Sequence, residues 1–140
     1  MAVIIDASVT LKWFLPENGS DRAHRLLSSR ADLVAPDLLI HEVCNVLWLK
    51  VERGHVPLSD AQAIARRLPD YFIQIIPGRR LAEAAVKIAA TLHHPVYDCL
   101  YVAAAEALDA DLVTADQGLI KAVRDSVWAP RVKDLIAFPT

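Results

Sequence analysis

Four acids carry the chemistry open to this sequence: Asp6, Glu42, Asp98 and Asp116. Asp6 ends the apolar run Val3, Ile4, Ile5, and Asp116 ends a second run, Leu112 to Ala115. Both acids are therefore expected at the ends of strands. Glu42 and Asp98 fall near the starts of helical segments. Glu42 has Leu38, Leu39, Asn45 and Val46 three and four positions away, which puts it on an apolar stripe, and a Glu is almost never buried there without a partner. Asp98 shares its helix face with Tyr101, Val102 and Ala105. Each Asp also has a local explanation. An Asp between strand and helix can cap the helix, and a first-turn Asp favours its dipole. Taken together they ask for more, because two carboxylates about 4 Å apart repel by about 4 kcal/mol at an effective dielectric near 20. Four acids at one sheet edge need a counter-charge, and an all-oxygen set suits Mg²⁺ or Mn²⁺ better than zinc. Thr114 stands two residues before Asp116, so its hydroxyl is expected on the same face as that carboxylate. Ser8 and Asn45 are further candidates for orienting water or carboxylates, although each can also make purely local hydrogen bonds.

Competing chemistries lack their residues. His41, Glu42, Val43, Cys44, Asn45 begins like a helical zinc-protease motif, but Asn45 stands where the second histidine is required. His93 and His94 are sequence neighbours that diverge on a helix, and the histidines read as ordinary polar or capping groups. No glycine-rich phosphate loop exists, which excludes the usual dinucleotide and ATP sites. A phosphatase using Asp6 as nucleophile would need a second acid two positions on, where Ser8 stands. Cys44 and Cys99 form no CxxC pair and read as small buried hydrophobes of a reducing compartment.

The elements that must position the acids alternate. Val3 to Ile5 reads as a strand, Ser8 to Leu15 and Asp21 to Arg30 as helices, and Leu33 to Ala35 as a strand closed by Pro36. Asp37 to Arg53 has helical apolar spacing, with Gly54 placed to end it. Ser59 and Gln62 form a capping-box pattern before a helix running to Leu68, where Pro69 blocks continuation. Tyr71 to Ile76 is β-rich, Arg79 to Leu92 is an alanine-rich helix, and His93, His94 and Pro95 break the chain before a helix over Tyr97 to Leu108. Leu112 to Ala115 is a strand, Leu119 to Val123 helical, and Val132 to Phe138 a candidate last strand. Strand, helix, strand alternation implies parallel strands under helices on both faces, a three-layer α/β/α domain. Ligands of such sheets bind outside the strand carboxyl ends, where Asp6 and Asp116 are expected.

With 140 residues the chain fits one domain with a continuous core. Its 54% hydrophobic content is interrupted throughout, so a soluble, cytoplasmic protein without a membrane span is expected, and MAVIID lacks the basic start of a secretory signal. A net charge of -2 gives no general attraction to nucleic acid. Any such contact would depend on local cations such as Arg66 with Arg67, Arg79 with Arg80, Lys12, Lys50, Arg53 and Arg124, most of which also suit solvated helix faces. Trp13, Phe14, Leu15 and Trp48 could form an interface with a second copy or another protein, which keeps a non-catalytic interaction module open as an alternative.

Four segments together resemble the PIN-domain family, and within it the VapC-type toxins of toxin–antitoxin pairs. IIDASV at 4 to 9 is similar to the family's opening strand and first acid, and PDLLIHEVCNVLW at 36 to 48 to its second-acid helix. YDCLYVAAAEAL at 97 to 108 is similar to the third-acid helix, and LVTAD at 112 to 116 to the fourth. The order and the intervals of 36, 56 and 18 residues between acids make the pattern specific. The resemblance implies a parallel five-stranded sheet and metal-dependent cleavage of RNA. It also implies a cognate antitoxin and a homodimer as partners. Asp6, Glu42, Asp98 and Asp116 then match the family's acidic metal site, with Thr114 and Ser8 beside it.

Overall fold

Val3, Ile4 and Ile5 are wholly excluded from solvent, as a strand without polar alternation requires when both faces are covered. In the computed structural model, which describes residues 1–140, these residues lie in β1 (Ala2–Ile5). After it come α1 (Ala7–Phe14), α2 (Ser20–Ser28), β2 (Asp32–Pro36), α3 (Leu38–Glu52) and α4 (Leu58–Arg67). β3 (Gln74–Ile76), α5 (Ala82–Leu92) and α6 (Val96–Leu108) follow, and β4 (Asp111–Thr114), α7 (Gln117–Val123) and β5 (Val132–Asp134) complete the chain. All four strand pairings are parallel, and the five-stranded order is β3-β2-β1-β4-β5. The parallel α/β architecture expected from the sequence is thus present.

The strand order places the site. From β1 the chain steps outward to β2 and β3, then returns past β1 to β4 and β5. Right-handed crossovers put α1 to α4 on one face and α5 to α7 on the other. The direction reverses between β1 and β4, and a crevice opens at the carboxyl ends of strands at such a switch point. Asp6 and Asp116 sit directly after or near those two ends. The buried apolar residues beneath form one continuous cluster spanning both helical layers and the sheet. No helix is long and apolar enough to cross a membrane.

Several boundaries differ from expectation for identifiable reasons. The capping box at Ser59 and Gln62 is not used: Pro57 is the extended N-cap, α4 begins at Leu58, and Ser59 already lies inside the helix. The α-helix ends at Arg67 with Leu68 as its C-cap, as Pro69 requires, and Pro69 sits in a 3₁₀ turn over Leu68–Tyr71, where an early-turn Pro loses no hydrogen bond. Tyr71 is therefore not a strand residue. It joins an aromatic cluster with Trp13 and Phe14, at centroid separations of 5.7 and 5.6 Å, and only Gln74–Ile76 pairs with β2. Arg79 and Arg80 form a 3₁₀ turn with Gly78 before α5. The last strand stops at Asp134, because the amides of Ala137 and Phe138 turn back onto the Asp134 carbonyl. Trp13 belongs to the core, with its indole N–H on the Ala23 carbonyl at 3.0 Å, whereas Trp48 is exposed. Both cysteines are free, Cys99 buried and Cys44 half-buried.

Candidate active site

Asp6 caps α1, accepting the Val9 amide at 3.2 Å, yet it is only 5% exposed, an unusual place for a carboxylate. Two hydroxyls hold it. Ser8 Oγ donates to Oδ1 at 2.6 Å, and Thr114 Oγ1 donates to Oδ2. These hydroxyls also accept backbone amides from the far side of the switch point: Ala115 N–H reaches Ser8 Oγ and Asp116 N–H reaches Thr114 Oγ1, both at 2.9 Å. The ends of β1 and β4 are thereby clamped through Asp6. Burial pushes the Asp6 carboxyl up to about 6, against the lowering pull of Ser8, Thr114 and Val9 and with a further rise from the Asp98 charge.

Glu42, on the first turns of α3, accepts the phenol of Tyr101 at 2.5 Å on Oε1. Tyr101 comes from α6 on the opposite face and is almost wholly buried, so this bond joins the two helical layers over the sheet edge. Its hydroxyl needs a buried acceptor, and Glu42 supplies it. Burial raises the Glu42 carboxyl, the Tyr101 bond opposes that, and the charges of Asp98 and Asp116 add to it. The Tyr101 phenol is pushed far up, first by burial and then by Glu42, Asp6 and Asp98. Asp98 lies in the first turn of α6 with Oδ2 on His94 Nε2 at 2.7 Å. Asp116 caps α7, its Oδ1 accepting Gly118 N–H at 2.9 Å and Leu119 N–H at 3.4 Å.

The charges link the four acids in a chain: Asp98 acts on both Asp6 and Glu42, and Asp116 acts on Glu42. No lysine or arginine pairs with any of them; His94 on Asp98 is the single basic-type partner. Three of the acids are bound on one side only. Glu42 through Oε1, Asp98 through Oδ2 and Asp116 through Oδ1 meet protein donors, while the second oxygen of each accepts no hydrogen bond from the chain. Hard carboxylate oxygens without a cation suit a divalent ion that prefers oxygen. As the side chains stand, no three His, Cys, Asp or Glu residues close on a single point.

All four expected acids thus stand at the carboxyl edge, and Thr114 and Ser8 bond directly to Asp6. Asn45 is exposed one turn beyond Glu42 and bonds to none of the acids. Sequence reasoning missed Tyr101 and His94. A tyrosine on an otherwise Ala- and Val-rich helix face, three residues after an acid, was the available signal for the first; His94 at i−4 from Asp98 was the signal for the second.

Fold and site define an α/β protein with acidic side chains gathered near the switch point of a parallel sheet. The PIN domain family model matches residues 3–125. Ribonuclease VapC3 of Pyrobaculum aerophilum is 31% identical over 121 residues, covering 85% of this chain and 92% of the relative. The crystal structure of PAE2754 from Pyrobaculum aerophilum superposes with a TM-score of 0.71 at 22% identity, covering 97% of this chain and 85% of the other. VapBC-1 from nontypeable Haemophilus influenzae superposes at 0.67 with 16% identity, covering 97% and 99%. The chain belongs to the PIN-domain family, and the resemblance carried by its four acidic segments is borne out.

Proposed function

We propose that this protein is a metal-dependent endoribonuclease, the toxin of a VapBC-type toxin–antitoxin pair. The observation that carries the reading is the set of three one-sided carboxylates, linked by charge through Asp98 to the buried Asp6, with no lysine or arginine paired to any of them. RNA as substrate is supported by the 31% identical relative named a ribonuclease. A cognate antitoxin is supported by the similar assembly whose name joins VapB to VapC. A homodimer and a cytoplasmic location belong to the same reading.

Asp6, Glu42, Asp98 and Asp116 would hold Mg²⁺ or Mn²⁺, and the chemistry such an ion supplies is a water acidified for attack and neutralisation of charge at phosphorus. The chain's own residues do the positioning. Ser8 and Thr114 fix the buried Asp6 carboxylate, so its orientation is set before any ligand arrives. Tyr101 fixes one oxygen of Glu42 and leaves the other free. The cap bonds of Asp116 do the same for that acid. Asp98 and Asp6 are the acids available to accept the proton of the attacking water.

The test is cleavage of a structured RNA by the purified chain with Mg²⁺, with Mn²⁺ and with EDTA, alongside Asp6→Asn and Asp98→Asn. Cleavage with either ion, lost in EDTA and in both variants while the fold persists, is expected. Undiminished cleavage by both variants would sink the reading.

A further inference from the structure

We propose that His94 is a positioning residue of the acidic site, holding the Asp98 carboxylate by one oxygen so that the other is presented to a divalent cation. The proposal rests on the reading of the acids as a metal site. Its basis is the geometry of the break between α5 and α6. Pro95 is the extended N-cap of α6 and prevents the two helices from merging. His93 closes α5 in the left-handed conformation, φ 53° and ψ 46°, which residues other than glycine rarely adopt. The chain reverses there. The amides of His93 and His94 both return to the Ala89 carbonyl, the latter at 3.2 Å, and the Cys99 thiol lies 3.9 Å from the His94 carbonyl. The backbone of His94 is therefore held from both helices, and its ring meets Asp98 Oδ2 at 2.7 Å.

Asp98 is the acid for which such control matters most. Its charge adds to the effect of burial on Asp6, Glu42 and Tyr101. It is also half-buried rather than enclosed, so packing alone leaves its carboxylate free to rotate. An Nε2–H donor removes that freedom whether the ring is neutral in this tautomer or protonated, so the role does not depend on titration. Groups that orient metal-ligating carboxylates typically change metal affinity or activity by about 10- to 100-fold when removed. A purely structural role, an i,i+4 contact supporting the first turn of α6, would instead alter stability alone.

The experiment is calorimetric titration with Mn²⁺ of the wild-type chain, His94→Ala, His94→Gln and Asp98→Asn, each melted in EDTA to establish that it is folded. His94→Ala is expected to weaken Mn²⁺ binding about 10-fold. His94→Gln, whose amide N–H₂ can replace the Nε2 donor, should bind close to the wild type, and Asp98→Asn should lose the binding. In RNA cleavage the Mn²⁺ concentration for half-maximal rate should rise in His94→Ala and return toward the wild-type value in His94→Gln. Wild-type Mn²⁺ affinity in His94→Ala, with binding lost in Asp98→Asn, overturns the proposal and leaves the metal site standing. Equal weakening in the Ala and Gln variants overturns it too. Wild-type binding by Asp98→Asn overturns both the proposal and the metal-site reading.

Discussion

Replacing Asp6 by Asn should stabilise the metal-free protein while destroying its site. The Asp6 carboxyl rises from 3.8 to about 6 on folding, chiefly because it is buried. That rise corresponds to about 3 kcal/mol by which the folded chain disfavours the ionised form. The sign follows from proton counts. Between those two values the folded state holds more proton than the unfolded one, so this contribution to stability is present below the unfolded value. It is lost as pH rises through about 6. At pH 7.5 the wild type bears the whole penalty. Asn removes it and keeps most of the contacts: its carbonyl can accept from Ser8 and the Val9 amide, and its N–H₂ can donate to Thr114 Oγ1. The N–H₂ replaces the acceptor that the Thr114 hydroxyl used, a mismatch that returns about 1–2 kcal/mol of the gain. A net stabilisation of about 1–2 kcal/mol is expected for Asp6→Asn in EDTA at pH 7.5, shrinking toward zero or reversing near pH 4. Urea unfolding at both pH values reads it, and added Mn²⁺ should stabilise only the wild type. An Asp6→Asn variant less stable than wild type at pH 7.5, or a difference that does not change with pH, refutes the reasoning.

Other substitutions separate the clamp from the frame. Thr114→Val leaves the Asp116 amide and Asp6 Oδ2 without their shared partner, at a cost of about 1–3 kcal/mol in urea unfolding, which Thr114→Ser should restore. Tyr101→Phe should cost about 1.5–3 kcal/mol at pH 7.5 and push the Glu42 carboxyl further up, since the phenol now opposes the effect of burial; NMR titration of Glu42 checks the direction. Gly54→Ala is the control: Gly54 ends α3 at φ +72° with open space where a Cβ would go, so a loss of about 1 kcal/mol in stability with unchanged RNA cleavage is expected.

What the sequence could show was whatever local pattern determines. An unbroken apolar run marked β1 and the short stretch Leu112 to Ala115 marked β4, and the acids that follow them marked the carboxyl edge, because strand ends are set by local sequence whereas the β1–β4 pairing that makes a switch point is not. Helix α3 was legible from its apolar spacing and Gly54. Less legible was everything decided by contacts distant in sequence. Tyr71 and Phe72 look like strand residues but are drawn to Trp13, 58 or more positions away, which shortens β3. Tyr101 looks like one more core residue of α6 until the partner 59 positions upstream is known. Glu42 was conspicuous on its apolar stripe, and the structure supplies the reason it is tolerated there. His94 was discounted with its neighbour because adjacent residues diverge on a helix, but the left-handed turn at His93 lies outside any helix and frees His94 to reach Asp98.

The central claim, that four acids at the β1–β4 switch point form one divalent-cation site, is tested most directly by anomalous diffraction from crystals grown with Mn²⁺. The account predicts an anomalous peak in the crevice, contacted by the unbonded oxygens of Glu42, Asp98 and Asp116 and lost in Asp98→Asn crystals. Manganese bound elsewhere with this crevice empty, or a peak that persists unchanged in Asp98→Asn, would contradict it.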